Sequence, residues 1–91
     1  MPLIGWSEKK NAWLKEHRGV SFEQVAVLIE QDQAIDVFDH PDQDKYPGQK
    51  IAVVVVDAYA LLVPYEKEGD EITLKTIIPS RKATKKYLGD P

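Results

Sequence analysis

The chain has no cysteine, which excludes a disulfide framework and any thiolate zinc site. Internal repeats, low-complexity tracts and Gly/Ser-rich linkers are also missing, so residues 1–91 read as one domain. No apolar run approaches the ~18–20 residues that cross a bilayer. Residues 1–5 are too short and uncharged for a secretory signal. The expectation is a cytoplasmic protein with no membrane partner. Histidine is scarce, with His17 and His40 alone, so imidazole chemistry has few places to occur.

Apolar residues make up 43% of the chain, enough for one core in a domain of this length and not for two. A chain this short buries only about 60–65% of the surface its unfolded form exposes. A partner that covers an exposed face therefore bears on its stability. The formal net charge is −3, the wrong sign for a protein that meets nucleic acid, but the charge is unevenly spread. Residues 1–20 carry +2, residues 80–91 carry +3, and residues 21–79 carry −8. If the fold brings the two ends together, they form one local basic patch that attracts a polyanion despite the net charge. Solvated helix faces are the plainer reading of the same charges.

Local patterns give the element order. Ser7 can cap a helix that runs to about Arg18 and stops at Gly19. Trp6, Lys10, Trp13 and His17 share one stripe of it. Ser21 and Gln24 have capping-box spacing, with Val20 and Val25 placed for a hydrophobic staple. Phe22, Val25, Leu28 and Ile29 form the apolar face of that second helix. From Ala34 the period changes. Residues 34–38 read as a short strand closed by the turn Asp39-His40-Pro41-Asp42, and residues 42–48 as a polar loop. Residues 50–56 form a β-branched strand whose unbroken valines imply burial on both faces. Asp57-Ala58 is a two-residue hairpin, although Ala is a poor occupant of the second position of a type I′ turn. Residues 59–65 return as a strand, and residues 66–71 read as a loop. In the next strand Ile72, Leu74, Thr76 and Ile78 alternate with Thr73, Lys75 and Ile77. Pro79 and Ser80 then open a short helix carrying Ala83 and Tyr87 four apart. A first edge strand over residues 3–6 is too short to assign. The expected fold class is α+β: two N-terminal helices, a mainly antiparallel four-stranded sheet with helices covering one face, and a short C-terminal helix.

Two stretches of the sequence resemble the BrnT family of toxins, within the RelE-like group. Trp6 and Gly19-Val20-Ser21-Phe22-Glu23 match the family's N-terminal helix and its Gly-Val-Ser-Phe run. Ile77-Ile78-Pro79-Ser80-Arg81-Lys82-Ala83-Thr84 matches the run that ends its last strand. Four positions depart from the pattern. His17-Arg18 replace a Lys-His pair, Leu14 stands at a helix asparagine, and Pro79 stands at a serine. The resemblance implies a RelE-like fold, cleavage of RNA, and inhibition by a cognate antitoxin in a hetero-oligomer.

Cleaving RNA without metal requires a base for the 2′-hydroxyl, positive charge for the phosphorane-like transition state, and an acid for the 5′-oxygen. Arg and Lys can supply the positive charge. Arg81 is the first candidate, at a strand–helix junction and at the family's arginine, because a guanidinium holds phosphate bidentately. His17 is the best general acid or base, although a histidine in a last helical turn also suits the helix dipole. Arg18 offers a second contact to the phosphate. Lys82, Lys85 and Lys86 suit phosphate binding as point charges. Tyr87 reads as core, with base stacking as its other use. Trp6 and Trp13 read as packing, with a nucleobase platform as the alternative. No cofactor or metal is expected. Asp36, Asp39, His40, Asp42 and Asp44 supply oxygen and imidazole ligands, but their spacing matches no metal loop. The rival readings are a non-catalytic protein- or nucleic-acid-binding module of the same fold, and a metal-dependent nuclease on the aspartate loop.

Overall fold

The computed structural model describes residues 3–89, in the order β1 (Leu3–Gly5), α1 (Glu8–Arg18), α2 (Phe22–Glu30), β2 (Asp36–Asp39), β3 (Gln49–Val56), β4 (Tyr59–Glu68), β5 (Glu71–Leu74), β6 (Ile78–Pro79) and α3 (Arg81–Leu88). Both N-terminal helices are closed by the residues that announce them. Ser7 accepts the Lys10 N–H at 3.2 Å, and Gly19 ends α1 at φ +66°, a left-handed conformation that costs a side chain bearing a Cβ. At α2 the capping box is complete: the Ser21 hydroxyl accepts the Gln24 N–H at 3.3 Å, and the Gln24 amide oxygen accepts the Ser21 N–H at 3.0 Å.

Asn11 joins the two helices and is 1% exposed. Its Oδ1 accepts the Phe22 N–H at 2.8 Å, and its Nδ2 donates to Glu23 Oε1 at 2.7 Å. Phe22 is the first residue of α2, whose N–H has no partner inside the helix. The side chain of one helix thus satisfies an orphaned backbone donor of the next.

The sheet runs β1-β5-β4-β3-β2, with β6 also paired to β4. All pairings are antiparallel except β1 with β5, which is parallel. The sheet is therefore mixed and longer than the four strands expected from the sequence. Residues 3–5 do form an edge strand, anchored by the Leu3 N–H to the Asp70 carbonyl at 2.8 Å. The segment 66–71 is mostly strand. β4 continues to Glu68, which pairs with Glu71 across a turn at Gly69 and Asp70.

The expected single strand over residues 72–78 is broken in two. Tyr65 pairs with Leu74, but Leu62 pairs with Ile78. Three residues (75–77) therefore oppose two (63–64), which is a bulge. One extra residue reverses the alternation. Ile72 and Leu74 are buried as expected, then Ile77 is buried in place of Thr76, and Ile78 is 40% exposed.

Burial along β3 and β4 locates the helices. Val54, Leu61 and Val63 join a core with Leu14 of α1 and Phe22, Val25 and Ala26 of α2. Their neighbours Val53 and Ala60 join a second cluster with Ala83 of α3, against which Leu62 and Tyr87 pack. Because successive strand residues point to opposite faces, α1 and α2 cover one face of the sheet and α3 the other. Helices confined to one face, as expected from element order, are thus corrected. No described helix is long and apolar enough to cross a membrane.

Candidate functional site

Midway along α1, Trp13 is 40% exposed and lies beside three side chains of its own helix. Lys10 Nζ lies 4.3 Å from its ring centroid, the Arg18 guanidinium 5.0 Å, and the His17 ring 4.8 Å. Lys10 and His17 are its i−3 and i+4 neighbours, so helical geometry brings them to the ring, whereas Arg18 is at i+5. Trp6 behaves differently. It stacks on Phe22 at 5.8 Å and packs against the core, with its indole N–H buried and unpaired among the described residues.

Arg18 is fixed from outside its helix. Its Nη1 donates to the Ile77 carbonyl at 2.6 Å, in the bulge between β5 and β6. The bulge takes Ile77 out of the β4 ladder, and the guanidinium satisfies its oxygen. With five N–H donors in a rigid fork, Arg18 keeps others for a ligand. It borders a depression lined also by Gly19, Gln24, Asp57, Tyr59 and Pro79.

Tyr59 is the hinge of the site. Asp57 and Ala58 have φ of +53° and +62°, as a type I′ turn requires. The turn leaves Tyr59 at the end of the hairpin, 38% exposed. Tyr59 lines both the Arg18 depression and a larger groove of about 650 Å³ between the β3–β4 turn and α3, lined by Ala58, Tyr59, Arg81, Thr84, Lys85 and Leu88. Arg18 and Arg81 thus border neighbouring depressions with one tyrosine in common.

Arg81 opens α3, whose cap is the Ser80 hydroxyl accepting the Ala83 N–H at 3.0 Å. The first turn of α3 holds no acidic residue. Among the described residues Arg81, Lys82, Lys85 and Lys86 form no ion pair, whereas Lys15, Lys50 and Lys75 are paired with Glu23, Asp39 and Glu66. Lys85 joins Arg81 in the larger groove, while His17, Lys82 and Lys86 line neither depression. Tyr87 packs beside Ala83 and donates to Asp36 Oδ2 at 2.5 Å. That bond, then burial, pushes its phenol above the ordinary tyrosine value.

The aspartate loop is occupied by its own structure. His40 Nδ1 accepts the Asp42 N–H at 3.0 Å, and its ring lies 4.4 Å from that of Tyr46. Gln43 donates to the carbonyls of His40 and Gln49 and accepts the Gly48 N–H. Among the described residues no group of three or more His, Asp or Glu is placed to hold a metal ion.

Of the cationic candidates, Arg18 thus borders one depression at Tyr59 and Arg81 with Lys85 the other, whereas His17 lies beside Trp13 and outside both. Sequence reasoning did not single out Tyr59. The available signal was an aromatic directly after a two-residue turn, where the chain cannot bury both hairpin faces. No protein-family model, curated protein or solved structure matches the chain.

Proposed function

We propose that this chain is the ribonuclease toxin of a type II toxin–antitoxin pair, a RelE-like endoribonuclease that cleaves mRNA without metal and is neutralised by a cognate antitoxin. The observation that carries this reading is Tyr59 flanked by Arg18 and Arg81. An aromatic residue shared by two depressions, each bordered by a guanidinium group, suits single-stranded RNA, because the ring can hold a base face and the arginines can hold phosphates. The resemblance of Gly19–Glu23 and Ile77–Thr84 to the toxin family supports the choice of a nuclease over other RNA-binding proteins.

In this mechanism Arg81 holds the scissile phosphate and offsets the charge that builds on its non-bridging oxygens, and Arg18, in the depression on the other side of Tyr59, supplies a second contact on a neighbouring phosphate. The 2′-oxygen attacks phosphorus as its proton passes to a base, the bond to the 5′-oxygen breaks, and that oxygen takes up a proton. The products are a 2′,3′-cyclic phosphate and a 5′-hydroxyl. His17 is the side chain suited to one of the proton transfers. Lys85 holds a flanking phosphate, Lys82 and Lys86 attract the RNA at longer range, and the antitoxin covers this basic edge in the hetero-oligomer.

Purified chain incubated with RNA in excess EDTA is expected to shorten it and leave cyclic phosphate ends. Arg81→Ala is expected to lower the rate by about 10²–10³-fold, the usual cost of removing one transition-state donor, with melting temperature unchanged. Intact RNA after prolonged incubation refutes the nuclease reading and leaves a binding module of the same fold.

A further inference from the structure

We infer that the groove between the β3–β4 turn and α3 is a base-stacking subsite, which seats one unpaired nucleotide of the RNA with its base on Tyr59 and its phosphate toward Arg81 and Lys85. The volume of about 650 Å³ lies within the range of small-molecule pockets, about 300–1,000 Å³. Its walls are apolar where a base needs them. Tyr59 presents its ring, and Ala58 and Leu88 present methyl groups, with Leu88 45% exposed. Thr84 contributes no free hydroxyl, because its Oγ1 accepts the Ala60 N–H at 2.9 Å and donates to the Ser80 carbonyl at 2.7 Å. The charged groups of the lining are both cations, and neither is paired with a described carboxylate.

That combination selects the occupant. An apolar slot alone suits many ligands, but an aromatic residue with two cations and, among the described residues, no acid in the lining suits a flat, anionic one. Apart from the Tyr59 hydroxyl, no uncommitted side-chain acceptor among the described residues lines the groove. Base edges are therefore poorly read, and the subsite accepts all four bases with modest preference. RNA as the ligand rests on the ribonuclease reading, but occupancy of the groove does not require cleavage.

The test uses a fluorescent single-stranded 2′-O-methyl RNA of about 12 nucleotides, which lacks the attacking hydroxyl, with binding read by anisotropy. Tyr59→Leu is expected to weaken binding about 5- to 100-fold, the usual effect of losing one stacked base. Tyr59→Phe is expected to stay within about twofold of the original. Leu88→Asp, at an exposed position of the lining, is expected to weaken binding as well. Lys85→Gln is expected to flatten the dependence of log affinity on log salt by about 0.7, one phosphate contact to a single strand. An abasic nucleotide at one strand position is expected to cost the original chain affinity and to cost Tyr59→Leu nothing more. Binding by folded Tyr59→Leu and Leu88→Asp that equals the original, or an abasic penalty independent of Tyr59, overturns the subsite. Absence of any binding also overturns it and leaves the groove to a protein partner. Cleavage of ordinary RNA is scored separately. A chain that cuts RNA with Tyr59 indifferent loses only this inference, and one that binds through Tyr59 without cutting loses only the nuclease reading.

Discussion

Replacing Asn11 by alanine should be the most costly single change to a polar side chain in this fold. Asn11 is buried, and its Oδ1 accepts the N–H of Phe22, a residue with no exposed surface. The truncation leaves that backbone donor inside the core without a partner, at about 1–3 kcal/mol. Loss of the amide's own packing adds to this, so the total is about 2–3 kcal/mol. For a domain of this size each kcal/mol moves the melting temperature by about 4–8 °C. Asn11→Ala should therefore melt roughly 10–20 °C lower and still fold, given the total stability of about 5–13 kcal/mol usual at this length. Equilibrium urea denaturation near neutral pH reads the difference directly.

A second measurement isolates the other bond. Glu23 is held below the ordinary carboxylate range, first by the Asn11 amide and then by a backbone N–H, with Lys15 adding to it. A lowered folded-state value means that the stabilisation is present above the unfolded pKa and is lost as pH falls through the folded one. The gap between the original chain and Asn11→Ala should therefore narrow on acidification below the carboxylate range. A loss under about 0.5 kcal/mol at neutral pH, or a gap that widens with acid, refutes the assignment of Asn11 as the tie between the two helices.

Ala58 sits at φ +62°, where a residue with a Cβ costs about 1–2 kcal/mol. After the extra chain entropy of glycine, Ala58→Gly should stabilise by about 0.5–1 kcal/mol, visible as a higher urea midpoint with unchanged slope. Tyr87 has a raised phenol value, so its bond to Asp36 contributes below the ordinary tyrosine value and is lost as pH rises through the raised one. Absorbance titration should show two tyrosines ionising late, Tyr87 and the partly buried Tyr65, and Asp36→Asn should bring only the first earlier. Arg18→Lys should keep the charge near Trp13 but weaken the reach to the Ile77 carbonyl. Cleavage is expected to fall about 10-fold or more, because an ammonium lacks the fork that holds a strand carbonyl and a phosphate together. Equal activity in Arg18→Lys counts against the anchored role.

Helix boundaries were legible because their signals are local. Ser7, Gly19 and the Ser21–Gln24 pair act within a few residues, and each is found in its expected role. The β3–β4 hairpin was legible for the same reason. Two features were not. Asn11 is polar on a helix face, and only the approach of α2, set by tertiary packing, explains its burial. The bulge at residues 75–77 was hidden because Thr76 and Ile77 both satisfy a strand pattern. The register that selects between them is set by β4 and by an arginine 59 positions away. Alternation fixes faces only while pairing is uninterrupted.

The placement of the helices shows how a correct local reading can be overruled by a weak global one. Consecutive buried residues at Ile51, Ala52, Val53 and Val54 require cover on both faces of β3, and the sequence carried that pattern in plain form. Helices on a single face cannot supply it. With α1 and α2 on one face, α3 is the element left for the other, so the cationic ends of the chain lie on opposite faces, and the hairpin end of β3 and β4 is where the two faces meet. That is why Tyr59, at the tip, borders the surroundings of both Arg18 and Arg81. The same topology limits the site. Lys82 and Lys86 lie outside both depressions that Tyr59 borders, so long-range attraction is their available part in binding. Their replacement by glutamine should weaken RNA binding chiefly at low salt, with little change in cleavage of bound RNA. A loss of cleavage at saturating RNA would instead place one of them at the scissile phosphate, and the hairpin tip would no longer be the centre of the site.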